Sequence, residues 1–260
     1  MSFKNYSDYK EFSDITRHGN RYIQNEKVIS FLNGILETSE ERQVTLSKGH
    51  RLWRAQLGNV KRVGCDEEGN EYETDDPCPY PEKRMKPILY SAPEGRANPK
   101  GIPYLYLATD EKTAMSEVRP WKGSSISVGV FEVIQDLNIV ECADFSEFPK
   151  QNNAFITTKG LTIDKRKKLK VWRDIDNAFS VPVNTSDQTS DYVPTQVIAE
   201  FFKSKGFDGI AHKSSLSSGA NVVLFNLKMA DLIWCTLYEV TDIDIEFKGV
   251  TSYTKPDKVR

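Results

Sequence analysis

The sequence predicts an α+β fold, and three observations point there. Tyr104-Leu105-Tyr106-Leu107-Ala108 alternates as a strand does, with both tyrosines on one face and both leucines on the other. Ile126 to Val133 and Leu137 to Cys142 are short runs rich in β-branched residues, whereas Val197, Ile198, Phe201 and Phe202 form an apolar stripe at helical spacing. These signals mix without a regular βαβ alternation, and no internal repeat is visible.

Taken in order, the first fifty residues read as helical. Val28-Ile29, Leu32 and Ile35-Leu36 recur at helical spacing and end in the polar run Thr38 to Arg42. This predicts an N-terminal helical extension, residues 1–48, packed on a main body of residues 49–260. Leu52 to Ala55 reads as a short strand. Between Asp66 and Asp76 seven of eleven residues are acidic and none is basic, which predicts an exposed loop. Gly95 to Gly101 is turn chemistry, since Gly and Asn-Pro favour irregular backbone. Thr109 or Asp110 caps a helix that runs to about Arg119, where Pro120 stops it. Asn184 to Asp191 is a polar loop, and Pro194 suits the first turn of a helix that Gly206 ends. Phe207 to Ala211 and Asn221 to Phe225 are two more strands, with the serine-rich Ser214 to Ser218 between them.

Composition narrows the function classes. The 35 basic and 37 acidic residues nearly cancel, giving a formal net charge of −2 and excluding a uniformly basic nucleic-acid binder. Only 38% of residues are apolar, but 13 Phe, 11 Tyr and 4 Trp supply the bulk for a core. No run approaches the roughly 20 apolar residues of a membrane helix, and the opening Met1 to Phe12 has no signal-peptide stretch, so a cytoplasmic address is expected. Cys65, Cys78, Cys142 and Cys235 form no Cys-x-x-Cys pair, and His18, His50 and His212 have no ligand spacing. Reduced structural thiols and no metal site are expected. Lys165 to Arg173 holds six basic residues in nine; it reads as a solvated face that the acidic loop could neutralise, or else as the contact of a nucleic-acid or partner-binding module.

Three residues could carry chemistry. Arg96 lies in a Gly-flanked turn, where a guanidinium can meet an anion bidentately. Glu117 sits on the helix after the Tyr-Leu-Tyr strand, and Ser214 and Ser215 follow a strand directly. Each alone is an ordinary surface residue. Together, Gly95-Arg96-x-Asn98-Pro99-x-Gly101, Leu105-Tyr106-Leu107-Ala108 and Thr113-Ala114-x-x-Glu117-Val118 resemble the signature of RES-domain proteins, a family named for an Arg, a Glu and a Ser. The resemblance extends through Pro194-Thr195-Gln196, Gly206 to Ile210, Ser214 and Asn221 to Phe225, so it covers roughly Leu52 to Phe225.

The resemblance implies an ADP-ribosyltransferase-like mixed β-sheet core with flanking helices. It also implies an enzyme that splits the nicotinamide–ribose bond of NAD+, as a phosphorylase or a glycohydrolase. Such proteins are toxins of bacterial toxin–antitoxin pairs, so the resemblance implies a toxin, or a stress or defence effector, with a helix-turn-helix antitoxin as the partner. Carried over by motif, the catalytic residues are Arg96, Glu117 and Ser214, and the substrate-binding residues are Arg54, Tyr106, Asn98 and Ser215. Ser214 and the adjacent Ser215 compete for the serine role. Two positions depart from the family pattern: Ala97 replaces a common aromatic, and His212 stands where a Tyr is common.

The residue types suit that chemistry. Loss of nicotinamide leaves oxocarbenium character on the ribose, which a carboxylate such as Glu117 stabilises. Arg96 and Arg54 can clamp a pyrophosphate or an incoming phosphate, and Tyr106 offers a flat face to nicotinamide. No base stands beside Ser214 to make it a nucleophile, so it would hold substrate or position Glu117. No Gly-x-Gly-x-x-Gly follows a strand, so NAD+ is expected as a consumed substrate, with inorganic phosphate as a co-substrate and no cofactor. The same residues would serve an ADP-ribosyltransferase that modifies a macromolecule.

Overall fold

The computed structural model describes residues 3–65, 68, 71–143, 161–181 and 189–244. Among them an eight-stranded sheet forms from β1 (Gln43–Leu46), β2 (Arg51–Leu57), β5 (Leu105–Ala108), β6 (Ser125–Val133), β7 (Leu137–Glu141), β8 (Gly209–Lys213), β9 (Ala220–Leu224) and β10 (Ala230–Glu239). The strand order is β1-β7-β8-β9-β5-β2-β6-β10. Only β7 and β8 run parallel, so the sheet is mixed, as the α+β reading requires. A separate hairpin joins β3 (Val60–Cys65) to β4 (Glu71–Cys78).

Strand alternation gives the sheet two apolar faces. Val140, Ile210, Val223 and Tyr104 meet the helices α1 (Asp8–His18), α2 (Glu26–Ser39), α5 (Ile163–Ser180) and α6 (Val193–Ser204). Ile139, Ala211, Val222, Leu105 and Leu107 face the other way, where Leu52, Phe131 and Met85 of the single-turn α3 (Glu82–Met85) close a second cluster. A third, smaller cluster seats α4 (Glu111–Glu117) on β2 and β6 through Ala114, Ala55, Ile126 and Val128.

The N-terminal segment shares the main core. Phe12 of α1 stacks on Phe31 of α2 with centroids 4.4 Å apart. Trp172 of α5 donates its indole N–H to Thr38 Oγ1 at 3.0 Å in a buried bond. The segment is not wholly helical. Gln43 to Leu46 alternates, buries Val44 and Leu46, and pairs with β7 as the sheet's first strand.

Two charged segments also depart from expectation. Part of the acidic run, from Glu71 onward, is the strand β4 rather than loop, and residues 66, 67, 69 and 70 lie outside the described residues. Lys61 on β3 pairs with Asp75 at 3.3 Å, so this acidic strand meets a base of its own hairpin. The basic run lies on α5, whose Val171, Trp172, Ile175 and Phe179 point into the core. Two of its lysines pair with acids outside β4, Lys170 with Asp174 of the same helix at 2.6 Å and Lys168 with Glu41 at 3.7 Å. Residues 182–188 of the expected polar loop lie outside the described residues, and Thr189–Tyr192 is a 3-10 turn. No described helix is long and apolar enough to cross a membrane.

One irregularity positions the site. β2 pairs with β6 over seven residues, and β5 with β9 over four, but β2 and β5 share a single pair, Trp53 with Ala108. The two strands diverge beyond it.

Candidate active site

A cavity of about 360 Å3 opens where β2 and β5 diverge. Trp53, Arg54 and Ala55 of β2 line it together with Tyr106 of β5 and Glu117 of α4. Gly95 and Arg96 contribute from the turn before β5, His212 from β8, Asn221 from β9, and Tyr192 from the turn before α6. Four residues singled out in the sequence, Arg54, Arg96, Tyr106 and Glu117, therefore meet in one wall.

Glu117 is delivered by a short capped helix. Asp110 accepts the Thr113 N–H at 2.8 Å and the Thr113 hydroxyl at 2.6 Å, which starts α4, and the helix ends at Glu117, two residues earlier than expected. Arg119 then adopts φ 48 just before Pro120. Gly219 is needed beside this cap, because a Cβ there would lie 2.1 Å from Asp110 Oδ2. Glu117 Oε1 accepts from the Ser214 hydroxyl at 2.6 Å and from Asn221 Nδ2 at 2.7 Å. A carboxylate at the C-terminal end of a helix faces the negative end of its dipole, so these two donors hold it where the helix alone would not.

Ser214 also accepts the Leu216 N–H at 3.1 Å, and so acts on the cavity through Glu117. Ser215 is exposed and outside the cavity wall.

Both arginines bond to backbone carbonyls and, among the described residues, to no acid. Arg54 Nη1 donates to the Tyr106 carbonyl at 2.9 Å, reaching across the gap where the β2–β5 ladder stops. Its Nε is buried with no hydrogen-bond partner, and burial pushes its pKa down to about 10. Arg96 Nη1 donates to the Phe179 and Ser180 carbonyls at 2.7 and 2.8 Å, which closes the C-terminus of α5. Among the described residues neither guanidinium forms an ion pair.

The turn that presents Arg96 is built around Asn98. Its Nδ2 donates to the Pro93 and Ile102 carbonyls, both at 2.9 Å, and its Oδ1 accepts the Tyr106 hydroxyl at 2.7 Å. The Tyr106 oxygen in turn accepts the Ala97 N–H at 3.0 Å, and burial raises this phenol to about 12. A Cβ on Gly95 would sit 2.7 Å from both Asn98 Oδ1 and the Tyr106 oxygen, so only glycine fits there. Gln196 of α6 fastens the turn from outside, donating to the Gly95 carbonyl at 2.9 Å. Asn98 thus lies behind the wall with its amide engaged in the turn. Ala97 is fully buried rather than lining the cavity.

His212 is buried in the wall, stacked on Phe179 at 5.6 Å. Its Nδ1 lies 3.0 Å from the Lys213 carbonyl, which places the ring proton on Nδ1 in the neutral form. Burial lowers its pKa from 6.5 to about 4, with Arg96 adding to the shift and the Lys213 carbonyl and Glu117 opposing it. As pH falls, the unfolded chain therefore takes up this proton first. The resulting stability is present above the unfolded pKa of 6.5 and is lost as pH drops to about 4. The loss amounts to about 3 kcal/mol at the acid end. Denaturant melts of wild type and His212→Gln between pH 7 and 4 are expected to differ in slope, with the variant flatter. Parallel slopes would contradict this burial.

Trp53 and Tyr192 carry no functional signal of their own in the sequence, whereas Gln196 stands in the Pro194-Thr195-Gln196 run of the resemblance with no role attached to it. Asn221 belongs to that resemblance as well, as a polar residue within an otherwise apolar strand. Three described cysteines are free thiols: Cys142 is buried, Cys78 and Cys235 partly so. Burial raises the Cys142 thiol well above its ordinary value.

A family model described as RES domain matches residues 62–236, more than half of the chain. Arg96, Glu117 and Ser214 fall inside the match, whereas Arg54 and the N-terminal helices precede it. Curated proteins give no match. One similar solved chain comes from the crystal structure of the M. tuberculosis MbcT–MbcA toxin–antitoxin complex. It is 12% identical, with TM-score 0.39, over 79% of this chain and 91% of that one.

Proposed function

The chain belongs to the RES-domain family, and from that premise we propose that it cleaves NAD+ at the nicotinamide–ribose bond. One observation carries the reading: two guanidiniums without acidic partners share a cavity with a carboxylate held only by neutral donors. Such a site offers positive charge to a phosphate-bearing ligand and negative charge to a developing cation.

The roles follow from the geometry. Glu117 Oε1 is fixed by Ser214 and Asn221, which leaves Oε2 to face the ribose. As the C1′–N bond breaks, its electron pair goes to the pyridinium nitrogen and nicotinamide leaves neutral. Positive charge then builds on the ribose, and Glu117 stabilises it more in the transition state than in the ground state. Arg54 and Arg96 hold the pyrophosphate or an attacking phosphate. Water as acceptor yields ADP-ribose and a proton; inorganic phosphate yields ADP-ribose-1″-phosphate. Depletion of NAD+ suits a toxin restrained by an antitoxin, the setting that the family resemblance supplies.

The test is an assay of purified protein with NAD+, with and without phosphate, products identified by mass. Nicotinamide release is expected, and the mass of the second product identifies the acceptor. ADP-ribose attached to a macromolecule would make the chain a transferase, and no nicotinamide release would overturn the reading.

A further inference from the structure

Trp53, Tyr106 and His212 enter the cavity wall from strands, but Tyr192 enters from the 3-10 turn Thr189–Tyr192 that leads into α6. Strand residues are placed by the sheet ladder. A residue on such a turn needs another anchor, and two are present. The Thr195 hydroxyl donates to the Tyr192 carbonyl at 2.9 Å. The neighbouring Asp191 pairs with Arg17 Nη1 at 3.2 Å, with side chains 28% and 35% exposed.

Arg17 lies in the last turn of α1, upstream of the residues that the family model matches. Its Nε is buried without a hydrogen-bond partner, a cost that an arginine free to face solvent would escape. The ion pair holds it there. An N-terminal helix outside the matched domain thus grips the turn that carries one aromatic side of the cavity, and α1 also packs on α6 behind that turn.

Tyr106 is poorly placed to adapt to a ligand, because its hydroxyl is locked to Asn98 and Ala97. The Tyr192 hydroxyl bonds to no described residue, and its ring is only partly buried. We propose that Tyr192 is the aromatic wall for the pyridinium ring of NAD+, and that Arg17, through Asp191, is the positioning residue that sets it. The proposal rests on the NAD+-cleavage reading. A pyridinium is cationic and planar, so a tyrosine face attracts it by both charge and stacking, and cleavage removes the charge. The wall therefore favours substrate over the neutral nicotinamide that departs.

Steady-state nicotinamide release by the full chain tests this. Tyr192→Leu is expected to raise KM for NAD+ about tenfold with kcat within about twofold, whereas Tyr192→Phe stays close to wild type. Arg17→Ala is expected to raise KM about fivefold, Arg17→Lys to restore most of the loss, and Arg17→Ala with Tyr192→Leu to be no worse than Tyr192→Leu alone. That non-additivity separates positioning from a general loss of stability, which melting curves of each variant report directly. An unchanged KM in Tyr192→Leu, or additive effects in the double variant, overturns the proposal and leaves NAD+ cleavage standing. If wild type binds NAD+ without cleaving it, the same comparison is made on Kd. Wild type that neither binds nor cleaves NAD+ overturns both readings.

Discussion

Glu117→Gln is expected to lower nicotinamide release by at least about 10³-fold, close to 4 kcal/mol of barrier, without loss of fold. Glutamine keeps a carbonyl oxygen that can still accept from Ser214 and Asn221, now 2.6 and 2.7 Å from the carboxylate. What disappears is the negative charge, and only the transition state needs it. Stability has no stake in that charge, since Glu117 ends α4, where the helix dipole disfavours a carboxylate. The melting temperature is therefore expected to hold or rise slightly. Turnover by Glu117→Gln near the wild-type rate would remove Glu117 from the chemistry.

Arg54→Met is expected to move activity and stability in opposite directions. A guanidinium whose Nε is buried without a partner, and whose pKa is pushed down to about 10, is a charge the fold compensates only in part. Replacing a buried charge by an apolar side chain of similar volume is commonly neutral or stabilising by about 1–4 kcal/mol. Removing it from a bound phosphate costs about 2–5 kcal/mol, or a few hundredfold in kcat/KM at the middle of that range. Thermal melts and NAD+ kinetics on the same preparation check both halves. A lower melting temperature would mean that the Arg54 bond to the Tyr106 carbonyl matters more to the sheet than its buried charge costs.

Arg96 and Arg54 look alike in the sequence and differ in the fold. Both suit an anion clamp by residue type, and both line the cavity. Yet Arg96 also closes α5 through the Phe179 and Ser180 carbonyls, a second duty that the turn sequence does not announce. Asn98 shows the same limit, since the motif does not distinguish a ligand contact from the pin of a turn. The Glu117–Ser214 contact joins residues 97 apart, and no local pattern encodes it.

The fold was legible where one face was apolar and the other not. The alternation of residues 104 to 108 became the two faces of β5, and the stripe of α6 became its buried side. It was illegible where charge hid the pattern. β4 is largely acidic and proline-bearing, so Glu71 to Asp76 reads as loop, and the lysines of α5 mask Val171, Trp172, Ile175 and Phe179. β10 carries no strand pattern in the sequence. It is an edge strand with an irregularity between Leu232 and Trp234, and Ile233, Trp234 and Tyr238 remain exposed, so neither face stands out as buried.

The lone Trp53–Ala108 pair divides the molecule along a line that the strand count conceals. Five strands lie on one side and three on the other, each group internally laddered. Among the described residues β2 and β5 share no further ladder pair, although both sit in the middle of a sheet. A ligand lodged there touches both half-sheets at once and acts as a keystone between them. Occupancy and the rigidity of the whole sheet are then linked, so part of the binding free energy goes into joining two halves that the backbone alone leaves nearly separate.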